Sequence, residues 1–197
     1  FRGVGPYKGE YAIDFAALTR LHMFLIDGET GAGKTTLLDA IAGYREYPAA
    51  AVEVDGVDLR SLNLAQLRES VGLVRDSELF QGTVLENIRV GHPIPVSRVQ
   101  ELLKQVGVGS AIKELPQGVH TELATGGAPL SEGQRQAVMM ARALSRNPRL
   151  LMIDEALDRI QDLAERELLT NVLFAPSAPW TLLLVTARED LARRCDR

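Results

Sequence analysis

Short apolar runs along this chain alternate with stretches in which apolar residues recur three and four positions apart. The run His22-Met23-Phe24-Leu25-Ile26-Asp27 enters a glycine-rich turn, and residues 34–43 follow with apolar positions at Leu37, Leu38 and Ile41. Length and period predict strand, loop and helix in that order. A second pair of strands is expected at 51–54 and 71–74, separated by a turn at Asp55-Gly56 and a short helix near 64–69. From Val84 to Val106 the pattern is helical and breaks into two segments at Pro93 and Pro95, because proline removes a backbone donor and clashes with the preceding turn.

The stretch 115–129 is rich in glycine and proline and reads as loop, whereas 131–144 carries a strong helical period that Pro148 ends. A buried strand at 149–153 then runs into Asp154-Glu155, followed by a helix at 160–173, a last strand at 180–185 and a last helix at 188–195. Strands alternating with helices imply an α/β fold whose mainly parallel sheet is covered on both faces. No internal repeat interrupts this order.

Composition narrows the reading. A chain of 197 residues that is 46% hydrophobic can bury one sizeable core, so 1–197 is expected to be a single domain. The net charge of -4 and isoelectric point near 5.5 give no electrostatic reason to expect nucleic acid as a partner. The basic cluster Arg188, Arg193, Arg194 and Arg197 reads as a solvated helix face. A single cysteine, Cys195, excludes an internal disulfide and fits a reducing compartment. No apolar run approaches the roughly 18 residues that a membrane span requires. A start at Phe1 without a leader reads as an excised or engineered domain.

The chemistry begins at Gly28-Glu29-Thr30-Gly31-Ala32-Gly33-Lys34-Thr35-Thr36, where Gly28, Gly33, Lys34 and Thr35 fit the phosphate-loop spacing at every fixed position. It sits after an expected strand and before an expected helix, which is the context that motif requires. Glycines let successive backbone N–H groups turn inward around an anion, and the helix N-terminus adds partial positive charge. Lys34 is expected on the β- and γ-phosphates of a nucleotide and the Thr35 hydroxyl on Mg²⁺. The alternative, an ordinary glycine-rich turn, would have to meet both spacing and context by accident.

An apolar strand ending in Asp154-Glu155 places two carboxylates where open parallel sheets put their ligands. Asp154 is expected to hold Mg²⁺ or its water, and Glu155 to polarise an attacking water. Alone this pair is a weak signal; beside a phosphate loop it points to a nucleoside triphosphatase. Leu130-Ser131-Glu132-Gly133-Gln134 opens the long helix. Ser131 and Gln134 fit a capping box, and the same exposed N–H groups, with Ser131 and Gly133, form a seat for a γ-phosphate.

At this point the chain resembles the ABC ATPase family, whose signature reads LSGGQ and is followed by a helix similar to 134–144. The resemblance spans about residues 25–196 and implies a P-loop NTPase of ABC type. That fold has a core ATPase lobe (1–83 and 145–197), a helical subdomain carrying the signature helix (84–144) and a small amino-terminal β lobe. It also implies ATP and Mg²⁺ as ligands, and a head-to-tail homodimer in which each ATP lies between one copy's phosphate loop and the other's Ser131, Gly133 and Gln134.

From Ala51 onward the chain is similar to the nucleotide-binding domains of bacterial exporters, on stretches such as 54–59, 79–88 and Leu115-Pro116-Gln117-Gly118. This implies a transmembrane transporter domain as natural partner and a cytoplasmic place at the inner face of the membrane. Before about residue 42 it resembles the head of SbcC-type, SMC-like ATPases, on Gly5-Pro6-Tyr7, Ile13-Asp14-Phe15 and 24–41. Two resemblances in one chain raise a chimera joined near 40–51, set against one natural sequence drifting within a shared architecture. A DNA-repair head is the second reading, although fewer than 100 residues separate Gly33 from Ser131 where that family inserts a long coiled coil. An ATP-binding module with no transport role is the third.

Three departures from the family bear on turnover. Arg75-Asp76 stands where a glutamine normally touches Mg²⁺, and Asp76 is expected to substitute as a carboxylate. Ala187 follows Val185-Thr186 where the family carries its switch histidine, and the loop after Glu155 is short, with Asp158 matching the acid of the dimer loop. ATP binding with slow hydrolysis is therefore expected. In that family an aromatic residue upstream of the phosphate loop stacks on the adenine, a role open to Tyr7 or Tyr11, each of which reads at least equally well as ordinary packing.

Overall fold

In the computed structural model, residues 2–4, 7–10, 23–26, 34–44, 53–54, 57–75 and 79–195 are described. The chain opens with an antiparallel pair, β1 (Arg2–Val4) and β2 (Tyr7–Glu10). β3 (Met23–Ile26) and α1 (Lys34–Ile41) flank the glycine-rich segment as expected. β4 (Glu53–Val54) and β5 (Val57–Asp58) make a hairpin; a 3-10 turn at Leu59–Ser61, α2 (Leu64–Ser70) and β6 (Val71–Val74) follow. Next come β7 (Gly82–Thr83), α3 (Val84–Arg89), α4 (Val96–Gln105), α5 (Gly109–Glu114) and β8 (Glu122–Leu123), the last pairing back onto β7. The chain finishes with α6 (Glu132–Leu144), β9 (Leu150–Asp154), α7 (Leu163–Leu173), β10 (Thr181–Val185) and α8 (Glu189–Ala192).

Four of these strands form one parallel sheet in the order β3-β10-β9-β6. Alternation along each strand divides its side chains between two clusters. Leu151, Ile153, Leu182 and Leu184 join α6 residues such as Ala137, Val138 and Ala141 on one face. Met152, Leu183 and Val185 meet Leu38 and Ala42 of the α1 segment, with Leu67 of α2, on the other. Helices cover both faces, so β9 and β10 are apolar almost throughout.

The expected pairing of 51–54 with 71–74 differs from the structure. β4 pairs with β5, in the register Val54↔Val57, because a two-residue turn offers a local hairpin partner. β6, with Val71 and Val74 buried, needs cover on both faces and pairs parallel with β9. α7 begins at Leu163 rather than Ile160: buried Ile160 packs into the core, its carbonyl accepts from the Arg166 guanidinium at 2.9 Å, and Asp162 caps the helix by accepting from Glu165 N–H at 2.9 Å.

Asn87 of α3 is fully buried and ties the helices to the loop after β6. Its amide nitrogen donates to the carbonyls of Phe80 (3.0 Å) and Thr83 (3.1 Å), and its side-chain oxygen accepts from Phe80 N–H at 3.1 Å. Arg142 of α6 donates to the Asn87 carbonyl at 2.6 Å and to its side-chain oxygen at 3.0 Å.

Candidate functional site

Strand register sets the place. Val185 lies opposite both Ile26 and Asp154, and Ile153 opposite Val74, so all four strands finish along one edge, where parallel sheets place ligands. α1 starts there, with Lys34 half-buried in its first turn. The Thr35 hydroxyl donates to Asp154 Oδ2 at 2.9 Å. The two residues meet although 119 positions separate them, because β9 runs beside β10 and delivers Asp154 to the head of α1. Both offer hard oxygen ligands, and their spacing suits neighbouring corners of an octahedron with bonds of about 2.1 Å. The pair therefore fits Mg²⁺, which takes one or two protein oxygens and completes its shell with phosphate and water.

Arg75, the residue after β6, brings a positive charge to the same place. Its guanidinium Nη2 hydrogen-bonds Asp39 Oδ1, and its Nε lies 3.6 Å from the Asp154 Oδ2 that Thr35 also contacts. Asp39 stands one turn after Thr35 on the same helix face and is buried, as is Asp154. Arg75 entered the sequence reading only as part of a replaced glutamine position, and Asp39 was not singled out. The legible signal was a carboxylate four residues after the motif threonine, on a helix packed against the sheet.

Glu155 carries a left-handed backbone, with φ of 57°, a strained conformation for a residue with a side chain. Its N–H donates to the Val185 carbonyl at 3.0 Å, and Asp158 N–H donates back to the Glu155 carbonyl at 3.1 Å. Asp158 in turn accepts from the Thr186 hydroxyl through Oδ1 and from Ala187 N–H at 2.7 Å through Oδ2. The short turn 155–158 is thus stapled to the segment after β10. Ala187 contributes its backbone donor to this staple and has no side-chain donor to offer a ligand.

Ser131 and Gln134 form the expected capping box: Ser131 Oγ accepts from Gln134 N–H at 3.1 Å, and Gln134 Oε1 accepts from Ser131 N–H at 3.0 Å. The Ser131 hydroxyl proton goes elsewhere, to Glu165 Oε1 at 2.7 Å. Glu165, on the first turn of α7, was not foreseen. Gly133 lies so close beneath it that a Cβ there would meet Glu165 Oε2 at 2.1 Å and its Cβ at 2.7 Å. A glycine inside a helix, where it costs about 1 kcal/mol relative to alanine, is the sequence signal of such a close approach.

Among the described residues the expected site thus falls into two clusters: Thr35 and Asp154 with Arg75, and Ser131, Gly133 and Gln134 with Glu165. Gly28, Glu29, Thr30, Gly31, Ala32, Gly33 and Asp76 lie outside the described residues, and so do Tyr11 and the side chain of Tyr7, which opens β2. Of the basic cluster, Arg188 pairs with Asp190 and Arg193 with Glu189, while Arg194 lies over the Phe174 ring. No described helix is long and apolar enough to cross a membrane.

With this geometry in hand, comparison with known proteins is specific. A family model described as ABC transporter matches residues 16–158. The chain is 40% identical over 140 residues to the uncharacterized ABC transporter ATP-binding protein YfiC of Bacillus subtilis, a match covering 70% of this chain and 23% of that protein. It is 33% identical over 202 residues to the ATP-dependent lipid A-core flippase of Polaromonas sp., covering 97% of this chain and 33% of the flippase. A solved bacterial Atm1-family ABC exporter with ATP bound superposes with a TM-score of 0.80 at 29% identity, over 88% of this chain and 31% of the exporter. The chain therefore spans about a third or less of each of these proteins. The residues matched by the family model include 40–51, and nothing in these matches supports a seam there.

Proposed function

The chain belongs to the ABC transporter family, as an ATP-binding domain of it, and from that premise we propose that it is the ATP-driven motor of an exporter. Its α/β P-loop architecture, with a parallel sheet between helices, is that of the exporter ATPase it superposes on. The observation that carries the proposal is the hydrogen bond from Thr35 to Asp154, since it joins the phosphate-loop threonine to the acid at the end of an apolar strand.

In this reading the segment 28–33 wraps the triphosphate and Lys34 reaches the β- and γ-phosphates. Thr35 and Asp154 would hold Mg²⁺, which would supply neutralisation of the triphosphate charge. Glu155 polarises the attacking water. The γ-phosphate is capped by Ser131, Gly133 and Gln134 of a second copy, at the positive end of its α6. Residues 1–83 and 145–197 act as the ATPase lobe and 84–144 as the helical lobe, which passes motion to a transmembrane domain at the cytoplasmic face of the membrane. Hydrolysis is slow, because Asp76 and Ala187 stand in place of a glutamine and a histidine, and each lost positioning donor costs about two to three powers of ten in rate.

An ATP titration with and without Mg²⁺, coupled to sedimentation, tests this on the parent, Lys34→Ala and Glu155→Gln. The expected results are ATP binding by the parent, its loss in Lys34→Ala, and an ATP-trapped dimer in Glu155→Gln. A folded parent with no ATP affinity overturns the proposal. Slow turnover is tested by Asp76→Gln with Ala187→His, which is expected to raise it; a parent already turning over many times per second refutes that part alone.

A further inference from the structure

The pair Asp39 and Asp154 sets a problem of charge that Arg75 answers. Asp39, on α1, and Asp154, at the end of β9, are both buried, and two such carboxylates facing one site require a compensating cation. Arg75 reaches both: Nη2 hydrogen-bonds Asp39, and Nε lies 3.6 Å from Asp154 Oδ2, the atom that accepts the Thr35 hydroxyl at 2.9 Å. Its side chain remains 32% exposed, so it can move while staying tethered to β6.

We propose that Arg75 is a resident cation of the nucleotide site, which shares with Mg²⁺ the neutralisation of Asp154 and the triphosphate and so reduces the dependence of ATP binding on Mg²⁺. The inference rests on the Mg-ATP reading above and assigns a positioning residue to it. A dication approaching Asp154 must displace the guanidinium or lie beside it, and either event subtracts from what the metal gains there. A triphosphate arriving without metal meets, besides Lys34, a second cation whose planar fork of N–H donors matches phosphate oxygens. Both effects act in the same direction. The advantage that Mg²⁺ gives to ATP binding shrinks when Arg75 is present.

The test is the ratio of ATP dissociation constants in EDTA and in excess Mg²⁺, measured by calorimetry on the parent chain, Arg75→Gln and Arg75→Lys, with circular dichroism and thermal melts alongside. Arg75→Gln is expected to raise the ratio about tenfold, within the usual span of coupling between two ligands. Arg75→Lys keeps the charge and is expected to stay within about threefold of the parent, less than half of that tenfold step on a free-energy scale. A clamp with only a structural role would lower the melting temperature of Arg75→Gln and leave the ratio alone. An unchanged ratio in Arg75→Gln, or a lysine variant that behaves as the glutamine one, overturns the inference while leaving ATP binding intact. Absence of ATP binding by the parent in both conditions overturns the motor reading and this inference together. Should Arg75→Gln fail to fold, the ratio is read on Arg75→Met, with the same expectation.

Discussion

The Ser131 hydroxyl donates to Glu165 Oε1 across 2.7 Å, so the serine at the head of α6 has already committed its proton within its own chain. A γ-phosphate delivered by a second copy would compete with that carboxylate for one donor and would meet its negative charge. Because Ser131 is exposed, the contact is worth only about 1 kcal/mol. Glu165→Gln in a Glu155→Gln background should therefore tighten the ATP-dependent dimer about fivefold. Sedimentation at several protein concentrations in ATP reads this directly; equal dimer affinity with and without the charge would show that the carboxylate does not compete.

Glu155 combines a left-handed backbone with the position expected for polarising water. Glycine adopts that conformation without strain, at some cost in unfolded-state entropy. Glu155→Gly is thus expected to raise stability by about 0.5–1 kcal/mol while abolishing turnover. Denaturant melts and a phosphate-release assay on one preparation check both halves; a destabilised glycine variant would mean that the strain has been misjudged.

The Asn87 network predicts a large effect far from the nucleotide. Truncation to alanine leaves the carbonyls of Phe80 and Thr83 without their amide partner and the Arg142 guanidinium short of an acceptor. Phe80 is exposed and Thr83 and Arg142 are half-buried, so water recovers part of the usual cost of about 1–3 kcal/mol per unpaired group, and Asn87→Ala should lose about 2–3 kcal/mol in urea unfolding. A loss within measurement error would imply that water replaces the amide.

Acid stability should carry the mark of the α3 cap. Glu86 accepts from the backbone N–H and the hydroxyl of Thr83, each at 2.8 Å, and these bonds hold its carboxyl below its ordinary value of 4.5. The folded state then binds this proton less readily than the unfolded state. Its contribution is complete above that ordinary value and is lost as the pH falls through the folded one. Thermal melts of the parent and Glu86→Gln should differ near neutrality and converge once the pH has fallen below the lowered folded value, a small effect because the group is exposed.

What the sequence disclosed, and what it withheld, follows from the range of the interactions. α1 and α6 were legible because apolar period is a local property, as is the Ser131 cap of α6, and β9 because its length and apolar run are. Ser131 and Gln134 could be paired on paper since a capping box spans three residues. Arg75 could not be assigned to Asp39, 36 positions away, or Glu165 to Ser131, 34 positions away, because neither spacing is a helical or strand period. Strand partners failed for a related reason. Val71–Val74 reads equally well beside 51–54 or beside 150–153, and only the need to bury both of its faces decides.

The sheet register has a consequence for how this chain can change in length. Asp154 is the last residue of a five-residue strand, paired on one side with β10 and on the other with β6. Deleting one residue between Leu150 and Ile153 would rotate every following side chain to the opposite face and turn the carboxylate away from Thr35. Added residues at 175–179, in the connection entering the amino end of β10, would leave that frame undisturbed. Length variants should survive at the amino ends of the strands and perish within them.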